Sequence, residues 1–153
     1  MSSALAPIDD AFFERAPIVI PSVVELDAPR ERVWEALGSD QMWSWFPAVD
    51  QLQWLTPQGP GAIRRLRLAH LTTIDEEFYR WEEPRRATFR VTRSTRPLLK
   101  GLAEDFLLEE LPGDRTRLTW TMALDPKLPG AGLLKPALAK GNQQAIAGIK
   151  KIL

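Results

Sequence analysis

The chain has 153 residues, 44% hydrophobic and 26% charged, which suits a single globular domain able to bury its own core. Twenty basic residues balance twenty acidic ones, so no net field draws the protein to nucleic acid or to an anionic surface. The absence of cysteine excludes disulfides and thiolate metal sites.

The opening Met1–Ser2–Ser3–Ala4–Leu5 lacks a basic region followed by an apolar stretch, so it does not read as a secretory signal. No apolar run approaches the ~20 residues of a membrane-spanning helix. The expected location is therefore the cytoplasm, without integral membrane association. Residues 1–17 place Ile8, Phe12 and Phe13 among acidic residues, as in a short helix docking one side. From Ile18 to Asp27 the pattern is that of a strand, with Val24 and Leu26 alternating against Glu25 and Asp27. Ala28–Pro29 starts a helix whose apolar stripe is Val33, Trp34 and Leu37 and whose stop is Gly38. The stripe assigns Trp34 to buried core rather than to a pocket lining. Ser39 or Asp40 can cap a second short helix through Trp43 and Trp45, which Pro47 ends.

Six strands follow: 49–56, 62–71, 73–82, 86–95, 102–111 and 116–125. Glu83–Pro84–Arg85 and Pro112–Gly113–Asp114 read as tight hairpins, so the sheet is an antiparallel meander. Arginines are dense at Arg64, Arg65, Arg67 and at Arg85, Arg86, Arg90, Arg93, Arg96, beside the acidic run Asp75–Glu76–Glu77. Such runs read first as solvated strand edges, with an anion site as the minority reading. A helix from about Gly132 to Leu153 closes the chain. Leu134, Leu138, Gly141, Ala145, Ile149 and Ile152 recur on it at helical spacing. Small residues at Gly141, Ala145 and Gly148 either leave volume over the sheet or permit close helix–sheet contact. Pro136 either starts this helix or kinks it.

Several segments together resemble the START/Bet v 1-like superfamily, in its SRPBCC, polyketide cyclase/dehydrase and lipid-transport-like group. They are Ala28–Pro29 with Val33–Trp34 and Leu37, Trp43–Ser44–Trp45–Phe46–Pro47, and Trp81–Glu82–Glu83–Pro84–Arg85–Arg86 with Phe89–Arg90–Val91. Gly113–Asp114–Arg115–Thr116–Arg117–Leu118–Thr119–Trp120 and the closing helix complete the likeness, which spans about residues 18–153. The resemblance implies an α+β helix-grip fold: a seven-stranded antiparallel sheet around a long C-terminal helix, with two short helices after the first strand. It also implies an internal pocket for a hydrophobic small molecule between sheet and terminal helix. Such a likeness is diagnostic of fold more than of reaction.

Strand parity nominates the lining. Trp120 and Met122 share a face with Leu118 and Leu124, assigned inward, leaving Thr119 and Thr121 outward. Leu66, Leu68 and His70 share another, Phe89 goes with Val91, and Phe106 goes with Leu108. Leu138, Gly141 and Ala145 face them from the helix, and Trp43, Trp45 and Phe46 form either sheet-end packing or a movable lid. Polar candidates for acid–base chemistry are His70, the only histidine, whose first reading is a strand-end or partly exposed imidazole; Glu104, if the Phe106 face is inward; and Tyr79, whose side of the sheet parity leaves open. A register slip of one residue would invert each assignment. One histidine and no cysteine give no metal site, and no P-loop, dinucleotide or nucleophile-elbow motif implies a cofactor or covalent chemistry. The leading expectation is binding or transport of a lipid, quinone or polyketide-like molecule. The alternatives are a cyclase or dehydratase and a protein-interaction module. Oligomeric state and ligand identity lie beyond the sequence.

Overall fold

The computed structural model describes residues 2–153. In chain order the elements are β1 (Ser3–Ala4), α1 (Phe12–Arg15), β2 (Ile18–Leu26), α2 (Arg30–Gly38), β3 (Val49–Trp54), β4 (Ile63–Leu68) and β5 (Thr72–Glu82). Then come β6 (Arg86–Ser94), β7 (Leu99–Leu111), β8 (Arg115–Pro126) and α3 (Lys135–Ala147). Short 3-10 segments, Ala131–Leu134 and Gly148–Ile152, extend α3 at both ends. Pro136 lies in the first turn of α3, so it starts the helix and does not kink it.

The sheet runs β2-β8-β7-β6-β5-β4-β3, antiparallel at every step. Short turns force β3 to β8 into a meander, and β2 returns to pair with β8 at its far edge. This is the helix-grip fold: a curled seven-stranded sheet with the terminal helix laid along β2, where the Gln143 side chain bonds both backbone groups of Val23. The two-residue β1 adds a pairing to the end of β6. The inner face carries the main core, including Leu118, Trp120, Phe78, Phe89, Val91, Phe106 and Leu108. Each fully buried large apolar side chain contributes roughly 1.5–3 kcal/mol before entropic costs. The N-terminal segment covers the outer face, with Ile8 and Phe12 buried against Ala103 and Ala123. Gly101 permits that approach, since a Cβ there would stand 2.9 Å from the Phe12 ring.

Four local departures from the sequence reading have physical causes. The second short helix is a chain of turns over 40–45, because Trp43 adopts φ 67°, outside any right-handed helix. Burial of its ring against Trp120, centroids 4.9 Å apart, holds it there against roughly 1–3 kcal/mol of backbone strain. The strand expected over 62–71 ends at Leu68: Ala69 and His70 both take φ 52° and form a tight hairpin turn. β5 carries a bulge at Tyr79, since Phe78 pairs with Phe89 and Arg80 with Thr88. The extra residue puts Phe78 and Trp81 together inside, rings 5.5 Å apart, and breaks the parity between Tyr79 and Trp81. Finally, Arg64 does not join the solvated arginines. Arg65, Arg86 and Arg90 pair on the outer face with Asp75, Asp105 and Glu77, but the Arg64 side chain is 1% exposed.

Candidate functional site

Four strands bring a polar centre into the aromatic interior. Arg64 on β4 shares inward parity with Leu66, and Glu76 on β5 shares it with Ile74 and Phe78; register pairs the two directly. Arg64 Nε donates to Glu76 Oε2 at 2.7 Å. Its Nη2 lies 2.7 Å from the same oxygen but without hydrogen-bonding geometry, so this buried N–H has no partner. The guanidinium lies 5.5, 5.1 and 5.2 Å from the ring centroids of Trp54, Phe78 and Phe89, an arrangement that stabilises its charge by cation–π attraction. Two strands away, Glu104 on β7 pairs in register with Phe89 and Met122, and its Oε1 accepts from Trp120 Nε1 at 2.9 Å.

Burial pushes the Glu104 carboxyl up to about 8, reinforced by the negative charge of Glu76 and only partly offset by Arg64. At neutral pH the centre therefore holds a protonated Glu104 carboxyl beside the Arg64–Glu76 ion pair. Its net charge is zero, the condition under which such groups tolerate a dry interior. A carboxyl kept protonated at neutral pH can donate to a substrate or ligand oxygen.

Beside the centre, α2 and the sheet border a small, partly open crevice, with Trp34, Leu37, Trp54, Phe78, Trp81, Ala87 and Phe106 as its apolar walls. About 20 Å3 of it admits the centre of a water molecule, room for one or two waters. Gly38 and Gln58 form its polar rim, and the Gly38 carbonyl accepts from both Trp54 Nε1 (3.0 Å) and Gln58 Nε2 (2.7 Å). Trp54 and Phe78 serve both spaces, as crevice wall and as faces of the Arg64 box. Trp34 is buried in the core as its stripe implies, but against the expectation that it is no pocket lining it also walls this crevice, edge-on to Trp81 at 5.3 Å.

A second, open groove lies between the 45–47 turn and α3, lined by Trp45, Phe46, Pro47, Gly141, Gln144, Ala145 and Gly148. The two readings of the small helix face divide here. Gly148 is a close contact: a Cβ would fall 2.0 Å from Trp45 Nε1, which donates to the Ala145 carbonyl at 2.8 Å. Gly141 faces open space. The face of α3 toward the sheet is filled by Asn142, Ala145, Ile146 and Ile149, all buried, so the apolar crevice lies under α2 and not under the terminal helix.

The residues nominated from the sequence fall into three groups. Leu66, Phe89, Phe106 and Trp120 are buried in the inner core, and Leu68 and Met122 pack against it half-buried. Trp43 is buried beneath the 40–45 turns, while Trp45 and Phe46 are half-buried and border the groove with Gly141 and Ala145. Leu138 is half-buried on α3. Of the three acid–base candidates only Glu104 faces inward. The His70 side chain is 77% exposed at the hairpin tip, with Nε2 3.0 Å from Asp50, because the strand ends before it. Tyr79 lies on the outer face at its bulge, donating to Asp10 Oδ1 at 2.8 Å; burial, then Asp10, raise its phenol and keep it protonated. Sequence reasoning missed Arg64, Glu76, Trp54 and Trp81. The signal for the first two was alternation, since each stands two residues from an inward apolar neighbour.

A profile of the family described as "Polyketide cyclase / dehydrase and lipid transport" matches residues 18–153. Uncharacterized proteins of Mycobacterium tuberculosis and Mycobacterium bovis are 34% identical over 131 residues, covering 84% of this chain and 75% of their own length. Among solved structures, a START superfamily protein from Mycobacterium smegmatis superposes with a TM-score of 0.71 at 17% identity, over 86% of this chain and 92% of the other. The Zhui aromatase/cyclase from Streptomyces sp. R1128 gives 0.65 at 20% identity, over 87% and 93%.

Proposed function

This chain belongs to the polyketide cyclase/dehydrase and lipid transport family, and from that premise we propose that it binds a small hydrophobic molecule bearing a neutral oxygen. The apolar body sits in the crevice under α2, and the oxygen is directed to the Arg64–Glu76–Glu104 centre. The observation that carries this reading is the buried Arg64 Nη2 at the aromatic wall, a donor without an acceptor, next to the protonated Glu104 carboxyl, whose proton is shared with Glu76. A mostly apolar pocket with a few convergent polar groups is the usual composition of a ligand site. The crevice is small for such a site, so the ligand is either compact or enters by displacing the Trp54 indole.

The test is native mass spectrometry on protein extracted gently, followed by titration with an apolar fluorophore. A retained small molecule, or saturable probe binding abolished by Ala87→Leu at unchanged melting temperature, is the expected result. Probe binding indifferent to Ala87→Leu would remove the crevice from the reading.

A second reading, a cyclase or dehydratase, draws on Glu104 alone. A carboxyl protonated near neutrality and oriented by Trp120 Nε1 has the chemistry of a general acid toward a carbonyl or hydroxyl oxygen. It separates from simple binding in Glu104→Gln, which should keep ligand affinity within a few-fold while eliminating turnover of a polyketide-like substrate. Equal turnover by the variant would leave binding as the function.

A further inference from the structure

Three connections meet at one end of the sheet: the β4–β5 turn (69–71), the β6–β7 turn (95–98) and the β8–α3 loop (127–134). Backbone and side-chain bonds join them. Thr95 N donates to Thr73 O at 3.0 Å, Arg96 Nε to Leu71 O at 3.4 Å, and Lys127 N to Leu98 O at 2.9 Å. Together they expose Leu71 (54%), Leu98 (51%), Leu128 (65%), Leu133 (88%) and Leu134 (52%). Those are five of the eight large apolar side chains left exposed among the described residues. Leucines scattered singly over a surface need no explanation; five on three adjoining connections do.

Charge at this end is also biased, although the chain as a whole is neutral. Arg96, Lys100, Lys127 and Lys135 are exposed there and form no ion pair among the described residues. Across residues 69–71, 95–100 and 125–135 the one carboxylate is the half-buried Asp125. Just outside, Asp50 is taken up by His70 and Arg67.

We propose that this end of the sheet docks on an anionic lipid bilayer, with the leucines entering the interfacial region and the four cations meeting headgroups. The chemistry favours this occupant over the others. A second copy meeting the same end would set four cations against four, a like-charge juxtaposition that costs association. Exposed leucines on three adjoining connections, with four exposed basic side chains among them, suit a deformable apolar layer under an anionic skin. The proposal goes beyond the ligand reading and does not depend on it, because no residue of the crevice or of the polar centre lies on this end.

The experiment is sedimentation of the intact protein with large unilamellar vesicles. One set is phosphatidylcholine alone, and the other is an equal mixture of phosphatidylcholine and phosphatidylglycerol. Binding to the mixture, absent on phosphatidylcholine and falling as salt rises, is expected. Leu128→Ser with Leu133→Ser should lower the partition coefficient by about tenfold or more, given the burial value of a leucine. Lys127→Gln and Lys135→Gln should each lower it about fivefold, from the attraction of one basic residue to an anionic surface. All four side chains are exposed, so the melting temperature should stay at the wild-type value, and that measurement accompanies each variant. No binding to the mixed vesicles at low salt, or equal binding by the leucine variant, overturns the proposal. So does a concentration-dependent dimer that disappears in the leucine variant, since it would identify a second copy as the occupant.

Discussion

Replacing Glu104 by Gln should change how stability responds to pH. Glu104 is held protonated to about pH 8 in the folded protein, mainly by burial and then by the Glu76 charge, against an ordinary value of 4.5. A carboxyl raised in the folded state makes folding progressively less favourable as pH climbs, because the unfolded chain ionises first. Its effect is absent below about 4.5, grows across the window from 4.5 to about 8, and is constant above it. At ~1.4 kcal/mol per pH unit the full window amounts to at most about 5 kcal/mol, a large part of the 5–15 kcal/mol typical of a domain. Glutamine keeps an acceptor for Trp120 Nε1 and offers an N–H toward Glu76, but it cannot ionise. Urea unfolding at a series of pH values reads the difference directly. The two proteins should agree within about 1 kcal/mol near pH 4.5 and diverge in favour of Glu104→Gln as pH rises to 8. Other titrating groups, such as Asp10 and Glu25, are common to both and cancel. Parallel curves across the window would show that Glu104 is ionised in the fold and would refute the neutral centre.

Arg64→Met should cost roughly 3–5 kcal/mol, because it strands Glu76 without its cation, while Arg64→Met with Glu76→Met should recover much of that; a double variant no better than the single would deny the pair its role. Gly148→Ala must move the Trp45 indole off the Ala145 carbonyl, so a loss of about 1–3 kcal/mol and a red-shifted tryptophan emission are expected, and unchanged emission would contradict the contact. His70→Ala should alter stability by no more than about 0.5 kcal/mol and leave probe binding intact, since the ring is exposed at a turn; lost probe binding would return His70 to the site.

How much of this was legible depended on which residues broke the alternation. The meander, the order of elements and the inward face of β8 followed from hairpin turns and from the spacing of Leu118, Trp120, Met122 and Leu124. The same alternation carried Phe106 and Glu104 inward together. Parity failed at Tyr79, where one bulged residue places Phe78 and Trp81 on the same side of the sheet. Helical spacing failed at Trp43, where burial of an indole against Trp120 outweighs a backbone preference of a few kcal/mol. Arg64 and Glu76 were hidden for a different reason. A charged residue in a strand is ordinarily solvated, and only pairing, register and an aromatic box together make its burial tolerable, none of which a single strand reveals. The crevice under α2 arises from Trp34, Trp54 and Trp81, which are far apart in sequence and meet only after β3 folds back beside α2.

Charge balance at this centre limits the kind of ligand it suits. With Glu104 protonated, the three groups sum to zero, and the aromatic rings around Arg64 leave little solvent to screen an added charge. A ligand bearing a carboxylate would leave one uncompensated negative charge in that setting, at a desolvation cost of several kcal/mol. A cation could be accommodated only as Glu104 ionised, which costs progressively more below pH 8. A ketone, quinone or phenol oxygen adds no charge and would accept from Arg64 Nη2, satisfying a buried donor that otherwise has no partner. On the proposed reading, this interior therefore favours a neutral oxygen over a charged group. The preference should also be pH-dependent: above about pH 8, where Glu104 loses its proton, the site gains a charge that repels a carbonyl oxygen, so affinity for a neutral carbonyl compound should fall there in the wild type but not in Glu104→Gln.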